Sequence, residues 1–175
     1  MNQPTAKLLI LTGPQFACLK IQGRANFASS IDFKSVLNEL QGRGFTYFVL
    51  DLSDCILMDS TFLGVLAGFG LKMRQMQGGL NSSPIELYNP NTRITELLDS
   101  LGVIHLFQVT SGALKLDNAT EAEHPAPVHA TKAEMTQAAL EAHRTLMEIN
   151  PGNAAKFKEV AQFLAEDLKR LKPGH

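Results

Sequence analysis

The chain has 175 residues, a formal net charge of −1 at pH 7 and a hydrophobic content of 45%. This length accommodates one compact domain with a substantial core and an appendage, and the composition argues against disorder along most of the chain. Acidic and basic residues are intermixed, so no concentrated charge predicts binding to nucleic acid or to an anionic membrane surface.

Two features of the sequence indicate a cytoplasmic protein. The first residues lack the basic, apolar and small-residue segments of a secretory signal, and no apolar run approaches the roughly 18 residues that a membrane span needs. Cys18 and Cys55 do not have the spacing of metal ligands. Without a secretory signal we expect them to be reduced thiols. Neither a bound metal nor membrane insertion is expected.

The first elements in chain order are three strands and a helix. Residues 7–11 and 16–22 are short apolar runs separated by Thr-Gly-Pro, which predicts an antiparallel pair in which Gly23 ends the second strand. From Ser30, apolar residues follow a helical spacing until a Gly-Arg-Gly sequence stops it. Residues 45–53 are almost continuously apolar, as in a central strand that is covered on both faces.

The strongest helical pattern begins after Asp59. Apolar side chains recur there at i, i+4, i+7, i+11 and i+14, so they form one stripe, and the helix is expected to end at Gly78 and Gly79. This stripe should face the core, and it consists of Phe62, Leu66, Phe69, Met73 and Met76.

Residues 84–88 and 106–109 are two further short strands. Between them, Asn89 or Asn91 can cap a helix that ends at Gly102. Strands that alternate with helices after an opening hairpin predict an α/β fold, with a mixed four- to five-stranded sheet and helices packed against it.

The last part of the sequence predicts a linker and a pair of helices. Residues 117–130 contain two prolines and little that could be buried, while Thr131 and Glu134 form a capping box for a helix. The helical hairpin has apolar faces that need a partner surface, so it either folds back over the sheet or mediates dimerisation or docking. The predicted division is a domain over 1–112, a linker over 113–130 and a C-terminal helical hairpin over 131–175.

The segment from residue 51 to 70 resembles the STAS domain, the fold of the bacterial anti-sigma factor antagonists. In that family an apolar strand leads into a D-S/T-S/T-G-L-G-like motif at the start of a helix. The resemblance extends over roughly residues 7–110, and Phe62 departs from it where the family usually has glycine. The matching residues are Asp59, Ser60, Thr61, Leu63, Gly64, Val65 and Leu66, with Gly23 after the second strand.

The resemblance implies a partner-switching regulator, not an enzyme, and no cofactor. In such a switch the unphosphorylated antagonist binds an anti-sigma factor, itself a serine kinase, and thereby frees a sigma factor. Phosphorylation releases the antagonist and a serine phosphatase restores it. The implied phosphorylation site is Ser60, with Thr61 as the fallback. The implied partner-binding residues are Asp59, Ser60, Thr61, Phe62, Gly64 and Gly68.

Several alternatives remain at this stage. Asp-Ser-Thr before a helix is often a plain N-cap, and Gly64 and Gly68 allow either a partner helix or the protein's own sheet to approach closely. The same domain also serves as a scaffold subunit in stress-signalling and lipid-transport assemblies. A serine hydrolase is disfavoured, because Ser60 is not in a G-x-S-x-G elbow and no histidine is expected to act as its base. Surface roles are expected for His105, His124, His129, His143 and His175.

Overall fold

The structure, a computed structural model, describes residues 6–76, 84–116 and 122–171. Its strands are β1 Lys7–Thr12, β2 Ala17–Ala25, β3 Phe48–Asp51, β4 Cys55–Met58, β5 Ile85–Tyr88 and β6 Gln108–Thr110. Its helices are α1 Phe27–Gly42, α2 Ser60–Met76, α3 Thr92–Ser100, α4 Lys132–Ile149 and α5 Ala154–Leu171. The glycines predicted to end α2 lie outside the described residues.

The sheet is mixed, and this confirms the predicted fold class. Its order is β1-β2-β3-β5-β6, with β1 antiparallel to β2 and the remaining neighbours parallel. β4, which was not predicted, is a sixth strand that pairs with β2. β6 begins at Gln108, later than expected, because Ile104–Leu106 forms a 3-10 turn.

The expectation that Gly23 ends the second strand was wrong. β2 continues to Ala25, and its register shifts between Gly23 and Arg24. Gly23 has a φ of +91°, a conformation that glycine adopts without strain and that suits a bulge. β2 pairs with β3 as far as Lys20 and with β4 from Gly23 onward. The end of β2 therefore lies beside the segment that leads into α2, with Ala25 opposite Met58.

Side-chain hydrogen bonds explain where two of the helices begin. α1 starts earlier than predicted, since the Asn26 N–H donates to Ser29 Oγ at 3.2 Å and caps the helix there. The predicted cap of α3 is confirmed for Asn91, whose Oδ1 accepts a hydrogen bond from the Ile94 N–H at 2.9 Å.

The apolar core lies between the sheet and the helices. Most of the predicted α2 stripe belongs to it, although Met76 is 64% exposed. Phe62 is fully buried and stacks on Phe33 of α1, with ring centroids 4.2 Å apart. Among the described residues, no helix is both long and apolar enough to cross a membrane.

The C-terminal helices fold back onto the domain. α4 begins with the predicted capping box, in which Thr131 Oγ1 accepts from the Glu134 N–H at 3.1 Å. α4 packs mainly against α2 and also contacts α1. The turn before α5 is held to the end of α3 by Asn153, whose Nδ2 donates to Leu101 O at 2.9 Å and to Leu146 O at 2.8 Å.

Candidate functional site

Asp59 joins the starts of two helices. Its Oδ1 accepts a hydrogen bond from the Phe62 N–H at 2.9 Å and caps α2, while its Oδ2 accepts from the Phe27 N–H of α1 at 2.7 Å. Its own N–H donates to Ala25 O at 2.9 Å. A carboxylate is favourable at helix N-termini, where backbone N–H groups lack partners. Asp59 thereby fixes the position of Ser60, the first residue of α2.

The Ser60 hydroxyl is hydrogen-bonded to a histidine of α4. Ser60 Oγ lies 2.9 Å from His143 Nε2, and His143 Nδ1 lies 2.7 Å from Ala139 O. Because a carbonyl oxygen can only accept, Nδ1 carries a proton, and in the tautomer that this contact selects Nε2 is an acceptor. The Ser60 hydroxyl therefore donates to His143.

This contact corrects two expectations. His143 is 4% exposed, so it does not have the surface role expected of the histidines, and it is the histidine placed beside Ser60. The residues are 83 positions apart, and only the fold-back of α4 brings them together. The available signal was a face of small residues around His143, namely Ala138, Ala139 and Ala142.

The two glycines of α2 lie against α4. A β-carbon added at Gly64 would be 2.6 Å from Ala142 O and 2.7 Å from Ala142 Cβ, whereas one added at Gly68 would be 3.4 Å from Thr145 Cγ2. Of the two alternatives for these glycines, the close approach of a helix holds, but the helix belongs to this chain. We call this contact the α2–α4 seam, comprising Ser60, Gly64 and Gly68 of α2 and Ala142, His143 and Thr145 of α4.

The predicted partner-binding residues differ in exposure. Asp59, Ser60 and Gly68 are partly exposed, whereas Thr61 is 6% exposed and Gly64 is buried under α4. Phe62, which departs from the family glycine, fills the core. In this conformation, therefore, only part of the predicted surface faces solvent.

The family is given by comparison with known proteins. The STAS domain model matches residues 9–119, well over half of the chain. The chain belongs to the STAS domain family. Comparison with curated protein sequences found no match. The α4–α5 hairpin lies beyond the matched segment of this STAS protein.

Solved structures share the fold of this STAS domain. A candidate anti-sigma factor antagonist from Thermotoga maritima is 21% identical, with 59% of this chain and 86% of that chain covered and a TM-score of 0.50. An anti-sigma factor antagonist from Mycobacterium paratuberculosis is 12% identical, with 62% and 89% covered and a TM-score of 0.50. At these identities the similarity shows the fold alone.

The surroundings of Ser60 in this STAS domain combine charged and apolar groups. Ser60 borders an open cleft of about 670 Å³ beside α3 and α5, which Arg93, Glu96 and Lys156 also line. Two large apolar side chains near Asp59 are exposed. Phe27, at the start of α1, is 53% exposed, and Ile56 of β4 is 55% exposed. Exposed apolar side chains beside polar groups are typical of protein-binding surfaces.

Proposed function

We propose that this STAS protein is a bacterial, cytoplasmic anti-sigma factor antagonist. Its unphosphorylated form binds an anti-sigma factor that is also a serine kinase and so frees a sigma factor. Phosphorylation of Ser60 ends that complex, and a serine phosphatase reverses the modification. The observation that carries the proposal is the position of Ser60, directly after the Asp59 cap and at the start of α2 in a STAS domain.

A phosphate at Ser60 would alter binding more than it alters folding. It would add about −1.5 to −2 charge at pH 7, and the N-terminus of α2 favours an anion. Asp59 already carries a carboxylate next to it, so a partner that covers both groups would have to remove water from a combined charge of about −2.5 to −3. We expect a loss of about 1–3 kcal/mol of binding free energy, which is typical of a coupled regulatory change.

Two observations support Ser60 and its surroundings as the site. Ser60 borders an open cleft, whereas Thr61 is 6% exposed, so Ser60 is the better acceptor of the two. The exposed apolar side chains of Phe27 and Ile56 provide contact area for a protein partner beside the serine. The chain is proposed to comprise a STAS domain over 1–112, a linker over 113–130 and a helical hairpin over 131–175.

The test is a pull-down from native cytosol with mass spectrometry, using the wild-type, Ser60→Ala and Ser60→Glu proteins. We expect an ATP-binding kinase to be captured by the wild-type and alanine forms, and its capture by the glutamate form to be reduced roughly 5- to 150-fold. Ser111→Glu is the control, because it adds the same charge at an exposed position outside α2, after the end of β6. Equal capture of the same proteins by both Ser60 variants would contradict the switch.

Equal capture would favour the scaffold alternative, a subunit of a stress-signalling or lipid-transport assembly. In that case the hairpin is expected to join copies or subunits. α5 has two exposed apolar side chains for such a contact, Val160 at 43% and Phe163 at 60% exposure. Homodimerisation through the hairpin stays a prediction, which light scattering of the wild-type and Phe163→Ala proteins tests.

The Ser60–His143 hydrogen bond favours a second candidate function, a serine-dependent hydrolase. A serine that donates to a histidine, which a third group orients, is the arrangement that activates a nucleophile. Here the third group is the Ala139 carbonyl, which carries no full charge to stabilise an imidazolium. Labelling of the wild type but not of Ser60→Ala by a fluorophosphonate probe would support a hydrolase. Absence of labelling of the wild type would exclude the hydrolase hypothesis.

A further inference from the structure

The α4–α5 hairpin lies on the helix that the proposed function requires for partner binding. We propose that the hairpin is an intramolecular cover, which occupies one side of Ser60 and must leave α2 before a partner can reach the α4-facing side of that helix. This inference rests on the proposed function for one point only, the identity of the partner. The cover itself follows from contacts within the chain.

The cover acts on Ser60 directly. In the closed conformation the Ser60 proton is engaged by His143 Nε2, and this histidine is buried. A kinase must approach the hydroxyl oxygen with a phosphoryl group, and a partner must contact the same end of α2. Ser60 also borders the open cleft beside α3 and α5, but neither a kinase nor a partner can use the side that His143 occupies, so both reactions are expected to be slower in the closed form.

The cover also occupies the face of α2 beyond Ser60. The backbone of Ala142 lies so close to Gly64 that a single added carbon would overlap it. No partner helix can use this face while α4 is present. A partner and α4 therefore compete for one surface, and the apparent affinity for the partner falls in proportion to the fraction of molecules that are open.

The composition of the α2–α4 seam suits a reversible contact. Leu146 of α4 is part of the main apolar core cluster and Ile149 packs against it, whereas the α4 residues nearest Gly64 and Gly68 are the small Ala142 and Thr145. A cavity of about 190 Å³ lies in the contact between α1, α2 and α4. At the edge of this contact, Lys34 Nζ and Glu141 Oε2 form a half-exposed ion pair at 3.2 Å. A contact that consists of small side chains, an unfilled space and a solvated ion pair is weaker than a close-packed interior.

A pair of matched substitutions can open the cover without weakening α2. Gly64→Ala places a methyl group 2.6 Å from a backbone oxygen of α4, which cannot rotate away, so α4 must shift. Gly68→Ala makes the same change on the same helix but places the methyl group 3.4 Å from a side-chain carbon, an ordinary contact. Alanine is the better helix former at both positions. Gly64→Leu places a larger side chain than Gly64→Ala at the same position and should displace α4 further.

The measurement is hydrogen–deuterium exchange of the full-length chain, resolved by segment. We expect exchange in α4 to rise roughly tenfold or more in Gly64→Ala, and further in Gly64→Leu, while the sheet stays protected and Gly68→Ala matches the wild type. Unchanged protection of α4 in both Gly64 variants would overturn the proposal. Equal loss of protection in β2, β3 and α4 would overturn it as well, because the hairpin would then be integral to the fold.

The competition with a partner is tested by locking the cover. Gly68→Cys combined with Thr145→Cys places two thiols within disulfide reach across the seam. The native thiols are buried, and burial raises the pKa of Cys18 to about 12 and of Cys55 to about 11, so they should not compete for oxidation. We expect the oxidised protein to capture none of the partner found in the pull-down and a reductant to restore capture.

These outcomes separate the two proposals. If the pull-down finds no kinase but the Gly64 variants release α4 selectively, the cover stands and the anti-sigma factor function fails. If a kinase is captured equally by the locked and the reduced protein, the function stands and the cover fails. Stronger capture by Gly64→Ala than by Gly68→Ala supports both.

Discussion

The two sides of α2 are packed in different ways. The side facing the sheet and α1 carries large apolar side chains, such as Phe69 against Phe48 of β3 and Phe62 stacked on Phe33 of α1. The side facing α4 carries glycines that lie against alanine and threonine. Burial of a phenylalanine or leucine side chain contributes about 1.5–3 kcal/mol, but each buried methylene-sized group contributes only about 0.8 kcal/mol. One side of α2 is therefore part of the interior, whereas the other side makes a contact that another helix could replace.

This difference bears on regulation. A regulatory surface must be able to exchange one occupant for another without unfolding the domain behind it. Small residues in the α2–α4 seam meet that condition, since they allow close approach at little cost when the contact is lost. The large residues of the interior hold α2 in place in either state. The following predictions test whether the two sides behave as distinct units.

The largest effect is expected for Phe62→Ala. Truncation of this fully buried, stacked side chain should lower the free energy of unfolding by about 3–5 kcal/mol and destabilise domain and hairpin together. Chemical denaturation followed by circular dichroism measures the change. The control is Phe163→Ala in α5, which is 60% exposed and should change stability by no more than about 0.5 kcal/mol. Similar losses for both variants would contradict the distinction.

The sequence predicted the elements of the domain from local patterns. The stripe from Phe62 to Met76 and the cap at Asn91 are local features. The structure confirms the cap, and it confirms the stripe except for Met76, which is exposed. β4 was not predicted, because it runs almost directly into α2 and no cluster of turn residues separates the strand from the helix in the sequence. The continuation of β2 past Gly23 was missed since a bulge resembles a strand end in the sequence.

The site was only partly predictable. A motif of adjacent residues placed Ser60 at the start of α2, and its resemblance to a family identified it as a candidate. The contact with His143 depends on how a separate helical hairpin packs, which no local periodicity encodes. The face of small residues on α4 and the glycines of α2 were both visible, but nothing in the sequence paired them.

A smaller and more local effect is expected for Asn153→Ala. This side chain donates to Leu101 O and Leu146 O and holds the turn of the hairpin to the end of α3. Loss of its hydrogen bonds in a buried position should cost about 1–3 kcal/mol. Exchange should therefore rise in α4 and α5 but not in the sheet, in comparison with the exposed control Gln162→Ala. Faster exchange throughout β2 and β3 would show that the hairpin cannot detach separately.

The smallest effect concerns Glu141 at the edge of the seam. Hydrogen bonds from the side chains of Gln137 and Lys34, together with the charge of Lys34, lower the pKa of Glu141 from 4.5. Because the folded-state pKa is the lower one, the stabilisation is present above pH 4.5 and is lost as the pH falls through the folded-state value. The ion pair is half exposed, so its contribution should be about 0–1 kcal/mol.

The corresponding variant is Glu141→Gln, compared with the exposed Glu159→Gln as the control. The wild type should be slightly more stable than Glu141→Gln at pH 7, by the measure of unfolding free energy, and the difference should shrink below pH 4.5. High salt at pH 7 should reduce it too, because the pair is solvated. A difference that grows on acidification would reverse the sign of this argument. It would mean that the neutral carboxyl group, not the ion pair with Lys34, holds the edge of α4 to α1.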